Sequence, residues 1–297
     1  MLDYKLVEAC AAVLQEGGFE KGAHRLCITQ SAVSQRIKQL EEQFGRMILL
    51  RTSPPQPTDF GKKILRLYYQ VHRLEDDLLR SNTEITQKSF TSLPIGLNAD
   101  TLATWFFKAL QPFLTKHQAV LDLMVDDQEE THRLLKEGKV LGCISTRSKP
   151  MQGCSAQYLG DVGYGLFCSP RFRETWFAKG LSFETVRRAP MISFNRKDQL
   201  NRKILTRALG TIPDGYSSFY VPSSELFLDF IKSGIAYGSM PDQQSSEPLE
   251  RGEIEELAPG HREQVPLYWH CWNLDSDLLR NLSGQLIKGF AIMHKHL

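Results

Sequence analysis

The sequence lacks paired cysteines, long apolar runs and any strong excess of one charge, and each absence removes a class of protein. Its six cysteines (Cys10, Cys27, Cys143, Cys154, Cys168 and Cys271) are scattered, with no C-x-x-C pair and no metal-site spacing. Buried free thiols in a reducing cytoplasm are expected, not a disulfide framework. No apolar run approaches the roughly 20 residues of a membrane span. The opening Met1-Leu2-Asp3-Tyr4-Lys5 lacks the basic start and apolar core of a secretory signal. A cytoplasmic protein with no membrane contact is the expectation. With 36 Lys+Arg against 34 Asp+Glu, the net charge of +2 implies nucleic acid only if charge clusters locally. Enzyme signatures are missing as well: there is no G-x-S-x-G elbow, H-E-x-x-H helix or phosphate loop. Cys143 lies in an apolar stretch and reads as core. No catalytic residue, metal or cofactor is therefore expected.

What is present is a soluble composition, 41% hydrophobic and 24% charged, in a 297-residue chain too long for one core. Near the N-terminus, Leu6, Ala9, Cys10, Val13 and Leu14 form a one-faced helical pattern that Gly17-Gly18 stops. A short helix over about 20–26 and a tight connection at Cys27-Ile28 follow, and Thr29 can cap a third helix. There Val33, Ile37, Leu40 and Phe44 make a buried stripe. Ser31, Gln35 and Lys38 lie opposite, with Gln30, Ser34 and Arg36 on the flanks near the start. Small hydroxyls and amides at an exposed helix start pack poorly but read base edges and phosphates well. A solvated face would look alike for this helix alone; the two short helices before it favour a helix-turn-helix on double-stranded DNA. Beyond Gly45, two apolar-to-polar transitions around the proline-rich 51–58 predict a small β-wing with short strands. Arg51 is placed there to touch phosphate.

The run from Ala23 to Glu41 (AHRLCITQSAVSQRIKQLE), with Phe44-Gly45, Leu49-Leu50-Arg51 and Thr58-Asp59-Phe60-Gly61, resembles the winged helix-turn-helix of LysR-type transcriptional regulators. Two departures stand out: Gly22 where the family usually places alanine, and Leu50 where it commonly has phenylalanine. Glycine inside a helix costs about 1 kcal/mol relative to alanine, so a looser second helix is expected.

Apolar residues then recur at Phe60, Ile64, Leu67, Val71, Leu74 and Leu78, which is coiled-coil spacing. An isolated helix this short is marginal, so the stripe needs a partner chain or its own domain. The resemblance implies a dimerising linker helix, homodimers and a homotetramer. The polar run 81–89 reads as a hinge. From Leu93 the texture alternates, with strands expected at 93–97, 120–125, 140–145, 158–163, 164–168, 191–194, 219–221, 235–238, 254–257 and 267–270. Helices are expected at 102–116, 128–137, 170–177, 199–209, 224–233 and 275–294. This is an α/β pattern.

The fold expected overall is an N-terminal winged helix-turn-helix with a long linker helix, then a C-terminal α/β effector domain. The resemblance makes that domain two periplasmic-binding-protein-like subdomains. The division is 1–58 for DNA binding, 59–89 for linker and hinge, and 90–297 for effector binding. Subdomain I covers about 90–163 and 268–297, and subdomain II about 164–267. A cleft between two subdomains suits a small ligand. By position, Asn98, Asp100, Thr101, Asp127, Ser145, Thr146, Phe194, Asn195, Ser224 and Glu225 should face it. Carboxylates there would take ammonium or guanidinium, and hydroxyls a carboxylate, although a Ser-Glu or Asp-Thr at a helix start is often just a cap.

Leu97 to Trp105, Leu26 to Gln30, Ser223-Ser224-Glu225 and Leu267 to His270 resemble a lysine- and arginine-responsive subfamily of those regulators. Its members are also described as inhibitors of chromosome replication initiation. The resemblance implies a basic amino acid as effector, control of amino-acid transport or metabolism genes, and contact with RNA polymerase. Two alternatives stand beside it: a regulator answering another metabolite class, and a replication-control protein binding curved or A/T-rich DNA by shape.

Overall fold

The computed structural model describes residues 2–81, 90–127, 130–212 and 215–294. Its first unit is helical. α1 (Tyr4–Gln15) starts at Asp3, whose carboxylate accepts the Lys5 amide, and α2 (Phe19–Arg25) and α3 (Gln30–Phe44) follow. The chain turns between α2 and α3 at Cys27, which takes φ 53° without being glycine. Its thiol is exposed, which corrects the expectation of buried cysteines: a side chain at the tip of so tight a turn points outward. Thr29 caps α3, its hydroxyl accepting the Ala32 amide at 3.2 Å, and Gly45 ends the helix in the left-handed region. Val33, Ile37 and Leu40 are buried against Val7, Cys10 and Val13. Phe44 stays exposed and meets Phe60 edge-on.

The wing is short, as its prolines predict: β1 (Leu49–Leu50) pairs antiparallel with β2 (Gln56–Pro57). The Thr58 hydroxyl donates to the Met47 carbonyl at 2.9 Å and accepts the Gly61 amide at 3.0 Å. That arrangement launches α4 (Asp59–Ser81). Along α4, Ile64 is buried while Leu67, Leu74 and Leu78 of the apolar stripe are exposed. Residues 82–89 of the expected hinge lie outside the described residues.

The second unit begins with β3 (Thr91–Leu97), parallel to both β4 (Ala119–Val125) and β5 (Gly142–Ser145). Between β3 and β4 run α5 (Ala99–Thr101), a π-helical stretch (Leu102–Phe106) and α6 (Phe107–Lys116). α7 (Thr131–Lys136) is shorter than the helix expected, and residues 128 and 129 lie outside the described residues. Two expected strands prove to be one, β6 (Cys154–Cys168). Pairing carries it past Gly160 and Gly163, because β11 (Glu263–Trp272) lies antiparallel beside it from Trp272 opposite Cys154 to Glu263 opposite Tyr164.

Beyond that ladder come α8 (Pro170–Trp176), α9 (Phe183–Arg188), β7 (Met191–Ser193), α10 (Leu200–Leu209), β8 (Ser218–Tyr220), α11 (Ser224–Lys232), β9 (Gly238–Pro241), α12 (Asp242–Glu250) and β10 (Glu255–Glu256). The last residues of β6 pair with β9 and β10, and β7 pairs with β8, forming a second lobe. α13 (Asp277–His294) returns to the first lobe and packs on α6. α9 and α12 went unpredicted. The strand expected at 235–238 starts only at Gly238, because the Ile235 amide is still tied to the Phe230 carbonyl at the end of α11. No helix among the described residues is long and apolar enough to cross a membrane.

Two features make testable predictions. The backbone of Gly22 lies so close to α1 that a β-carbon would sit 2.9 Å from the Val13 nitrogen and 3.0 Å from its Cα. Glycine here tightens the α1–α2 contact, contrary to the looser helix expected from propensity. Gly22→Ala should therefore lower Tm, where helix propensity alone would stabilise by about 1 kcal/mol and raise it; calorimetric melting decides the sign. The second feature is a buried pair, His132 on α7 and His270 on β11, edge to face at 5.2 Å. The Nε2 of His270 pairs with the Arg147 carbonyl at 2.7 Å. Burial, then the charges of His270, Arg147 and Lys136, push His132 down to about 4, and burial lowers His270 as well. Both are neutral in the folded chain at pH 7. Below about pH 6.5 the unfolded chain binds protons that the folded one refuses. Stability should thus be full above that pH and fall on acidification towards pH 4, by about 3 kcal/mol for His132 alone. Denaturant midpoints between pH 7.5 and 4.5 should decline less steeply in His132→Gln; identical slopes would place the acid sensitivity elsewhere.

Candidate nucleic-acid interface and ligand cleft

On α3, successive side chains are about 100° apart. Ser31, Gln35 and Lys38 therefore share one face, opposite buried Val33, Ile37 and Leu40, and Gln30 and Ser34 lie on the flank between that face and the stripe. Gln30, Ser31, Gln35 and Lys38 are exposed and Ser34 is half-buried. Arg36 lies on the flank nearer the core and is half-buried, a position from which a guanidinium reaches backbone more readily than base edges. Lys38 shares its charge with Glu42, 3.6 Å away along the helix. Arg51 is exposed directly after β1, on the wing. The residue that fixes wing to helix escaped sequence reasoning: Glu41 Oε1 accepts the amides of Ile48 at 2.8 Å and Leu49 at 3.2 Å. On sequence alone Glu41 looks like one more solvated helix charge.

The second unit holds a cleft of about 410 Å³ between its lobes. Of the residues expected there, Asn98, Asp100, Asp127, Thr146 and Phe194 line it. Asn195 and Ser224 reach it through partners from the other lobe. Asn195 Nδ2 donates to Asp127 Oδ1 at 2.9 Å, and Ser224 Oγ donates to Asp100 Oδ1 at 2.5 Å. Three residues do not line it. Thr101 turns inward and is buried. Ser145 is fully buried, its hydroxyl accepting the Arg147 amide at 3.2 Å. Glu225 is exposed and accepts the Ser223 hydroxyl at 3.0 Å.

Asp100 is the centre of the arrangement. Tyr164, on β6 where the lobes cross, donates its hydroxyl to Asp100 Oδ2 at 2.8 Å, so each carboxylate oxygen has a hydroxyl donor. Among the described residues no cation forms an ion pair with it. Burial pushes its carboxyl up, the hydroxyls of Ser224 and Tyr164 pull it down, and the charges of Asp198 and Glu225 raise it again. Nearby, the Asn98 side-chain oxygen is buried without a partner. Asp126, expected beside Asp127 at the same strand end, lines the cleft too, and Glu130 and Asp198 also line it without having been anticipated. Asp198 sits in a loop where its oxygens accept the amides of Phe194 at 3.1 Å and Leu200 at 2.9 Å. An acidic pocket with pre-aimed acceptors suits a ligand rich in N–H donors and positive charge.

A family model described as bacterial regulatory helix-turn-helix protein, lysR family, matches residues 4–62, and one described as LysR substrate binding domain matches residues 88–288. The chain is 40% identical over 286 residues to the HTH-type transcriptional regulator ArgP of Aeromonas salmonicida, with 96% of each covered. Among solved structures, ArgP from Mycobacterium tuberculosis matches with a TM-score of 0.86 and 32% identity over 98% of each chain. Full-length LysG from Corynebacterium glutamicum with bound effector Arg matches with a TM-score of 0.78 and 27% identity, over 98% of this chain and 99% of that one.

The exposed face of α3 and the wing make separable predictions. Ser34→Ala with Gln35→Ala should reduce discrimination between a selected site and random DNA. Arg36→Ala and Arg51→Ala should weaken both DNAs together, each lowering the slope of log affinity against log salt by about 0.9 for every phosphate left unneutralised. Titrations across a salt series separate the outcomes, and unchanged discrimination in the Ser34/Gln35 variant would remove those residues from the interface.

Proposed function

The chain belongs to the LysR family of bacterial helix-turn-helix proteins and is a DNA-binding transcriptional regulator, not an enzyme; on that premise we propose that its cleft takes a basic amino acid, lysine or arginine. Occupancy of the cleft then alters how the DNA-bound protein bends its site or engages RNA polymerase, at genes of amino-acid transport or metabolism. One observation carries the reading: Asp100, half-buried between the lobes, has a hydroxyl on each oxygen and, among the described residues, no cation paired with it. A buried carboxylate without a counter-charge is costly, and a ligand ammonium or guanidinium supplies what is missing. The bound Arg of the LysG relative supports the same ligand class.

The division of labour follows the chain. Residues 1–58 read DNA through Gln30, Ser31, Ser34 and Gln35, with Arg36, Lys38 and Arg51 on phosphate. Residues 59–89 join two chains, and residues 90–297 sense the ligand, with lobes at about 90–163 plus 268–297 and at 164–267. Exposed Leu67, Leu74 and Leu78 on α4 favour a homodimer, which also matches the need of a single reading head for a second half-site. Two dimers joined through effector domains make the tetramer, working in the cytoplasm.

Calorimetric titration of wild type with lysine, arginine and norleucine tests the ligand class. Lysine or arginine should bind and norleucine should not. Asp100→Asn keeps size and much of the hydrogen bonding but removes the charge, and should weaken the basic ligand roughly tenfold to a thousandfold while ligand-free DNA binding survives. Because burial raises the Asp100 carboxyl, wild-type affinity should fall on acidification earlier than for an ordinary aspartate. Equal binding of all three amino acids, or of none, would defeat the basic-ligand reading.

A further inference from the structure

α4 does not merely connect the two units; it is clasped by the second one. Lys62 Nζ lies 3.2 Å from Glu137 Oε1, and the Glu137 carboxylate is only 8% exposed. One turn along α4, Arg66 Nη2 donates to the Gln152 carbonyl at 2.6 Å and lies 3.5 Å from Cys154 Sγ. Between these contacts Gly138, at φ 75°, presses its backbone on the helix, and a β-carbon there would sit 2.9 Å from the Arg66 Cα. Tyr69 packs against the cores of both units.

The clasp sits at one end of α7, and the cleft sits at the other. α7 is six residues long, about 9 Å. Glu130, immediately before it, lines the cleft, and its amide is held by the Asp127 carbonyl at 2.8 Å. Asp127 in turn accepts Asn195 from the opposite lobe. At the start of α7 the Thr131 hydroxyl is fixed to the Ile144 carbonyl at 2.7 Å. After its last turn the chain enters Glu137-Gly138.

We infer that α7 with the Glu137-Gly138 turn is a rigid strut that couples the two lobes' closure on a ligand to the position of α4, through Lys62 and Arg66. A ligand that replaces or tightens the Asn195–Asp127 contact displaces the cleft end of the strut. A short helix pinned at both ends shifts as a body, so its far end moves the seat of Arg66. The inference rests on the ligand reading above for its trigger, and on the clasp alone for its mechanical part.

The test uses the full-length protein, a DNA site selected from a random-sequence pool, and L-arginine and L-lysine as probes. Arg66→Met keeps the aliphatic stem and removes the donor; Glu137→Gln removes the charge that Lys62 meets. Both variants should bind the amino acid, and ligand-free DNA, within about threefold of wild type, while the ligand-induced change in DNA affinity or bend falls at least about fivefold. Retained amino-acid affinity certifies the fold. In hydrogen exchange, amides of α7 and Gly138 should lose protection in both variants. Wild-type-sized ligand effects on DNA in both variants would overturn the coupling, and unchanged exchange would overturn the clasp. If neither amino acid binds wild type, the ligand reading falls and the coupling with it, while exchange still decides the clasp.

Discussion

The ladder between β6 and β11 is the constraint from which the sensing half of the molecule follows. Both strands are too long for either lobe, so they must leave one and enter the other. Their antiparallel pairing, from Cys154–Trp272 to Tyr164–Glu263, makes that crossing a single bonded ribbon broken by one bulge between Leu267 and Tyr268. The lobes can thus twist and tilt about the ribbon but cannot separate, since that would strip backbone groups of their partners. The crossing is also the floor of the cleft: Gln264, Val265 and Pro266 line it, and Tyr164 reaches Asp100 from the same place. The crossing strands and the cleft lining thus share one set of residues, so a tilt of the lobes about the ribbon also reshapes the cleft.

What was legible in the sequence was local. The α3 stripe, its Thr29 cap, the Gly45 stop and the proline-shortened wing are written within a few residues of where they act. What escaped depended on partners far along the chain. Residues 158–163 and 164–168 read as two strands until β11 is set beside them. α9 and α12 carry too few apolar positions to announce themselves: their buried residues are Val186 alone, and Ser245 with Pro248. Gly22 reads as a helix weakness and is a point of close approach, because propensity is blind to the backbone of α1 across the contact.

The cleft divides along the same line. Asn98, Asp100 and Asp127 follow strand ends, so position alone brings them to the candidate site. Thr101 and Glu225 are one residue past useful positions, and one residue on a helix is about 100°, enough to turn a side chain into the core or out to solvent. Asp198 and Glu130 had no such address. Their arrival concentrates negative charge where Asp100 is already pushed toward protonation by burial and by Asp198. Lys203 and Arg133 meet Glu263 and Glu130, whereas the donors on Asp100 are the hydroxyls of Tyr164 and Ser224, which carry no full charge.

α4 shows why spacing alone could not say what its apolar stripe meets. The helix presents three sides. Ile64 and Leu65 are buried in the core of the DNA-reading unit. Lys62 and Arg66 hold the sensing unit through Glu137 and Gln152. Leu67, Leu74 and Leu78 remain exposed. A heptad count merges the first and last of these, since Ile64 and Leu67 are neighbours in the repeat but face different surroundings. Separated, the sides differ in their attachment: the head meets α4 by apolar burial, whereas among the described residues the sensor holds it through the polar contacts of Lys62 and Arg66, a glycine-sized seat and Tyr69. The hydrogen bond from Arg66 to the Gln152 carbonyl weakens steeply with distance and angle. The sensor side is therefore where a small shift alters the grip without unfolding the head, and Leu67, Leu74 and Leu78 lie on a different side of the helix from that grip.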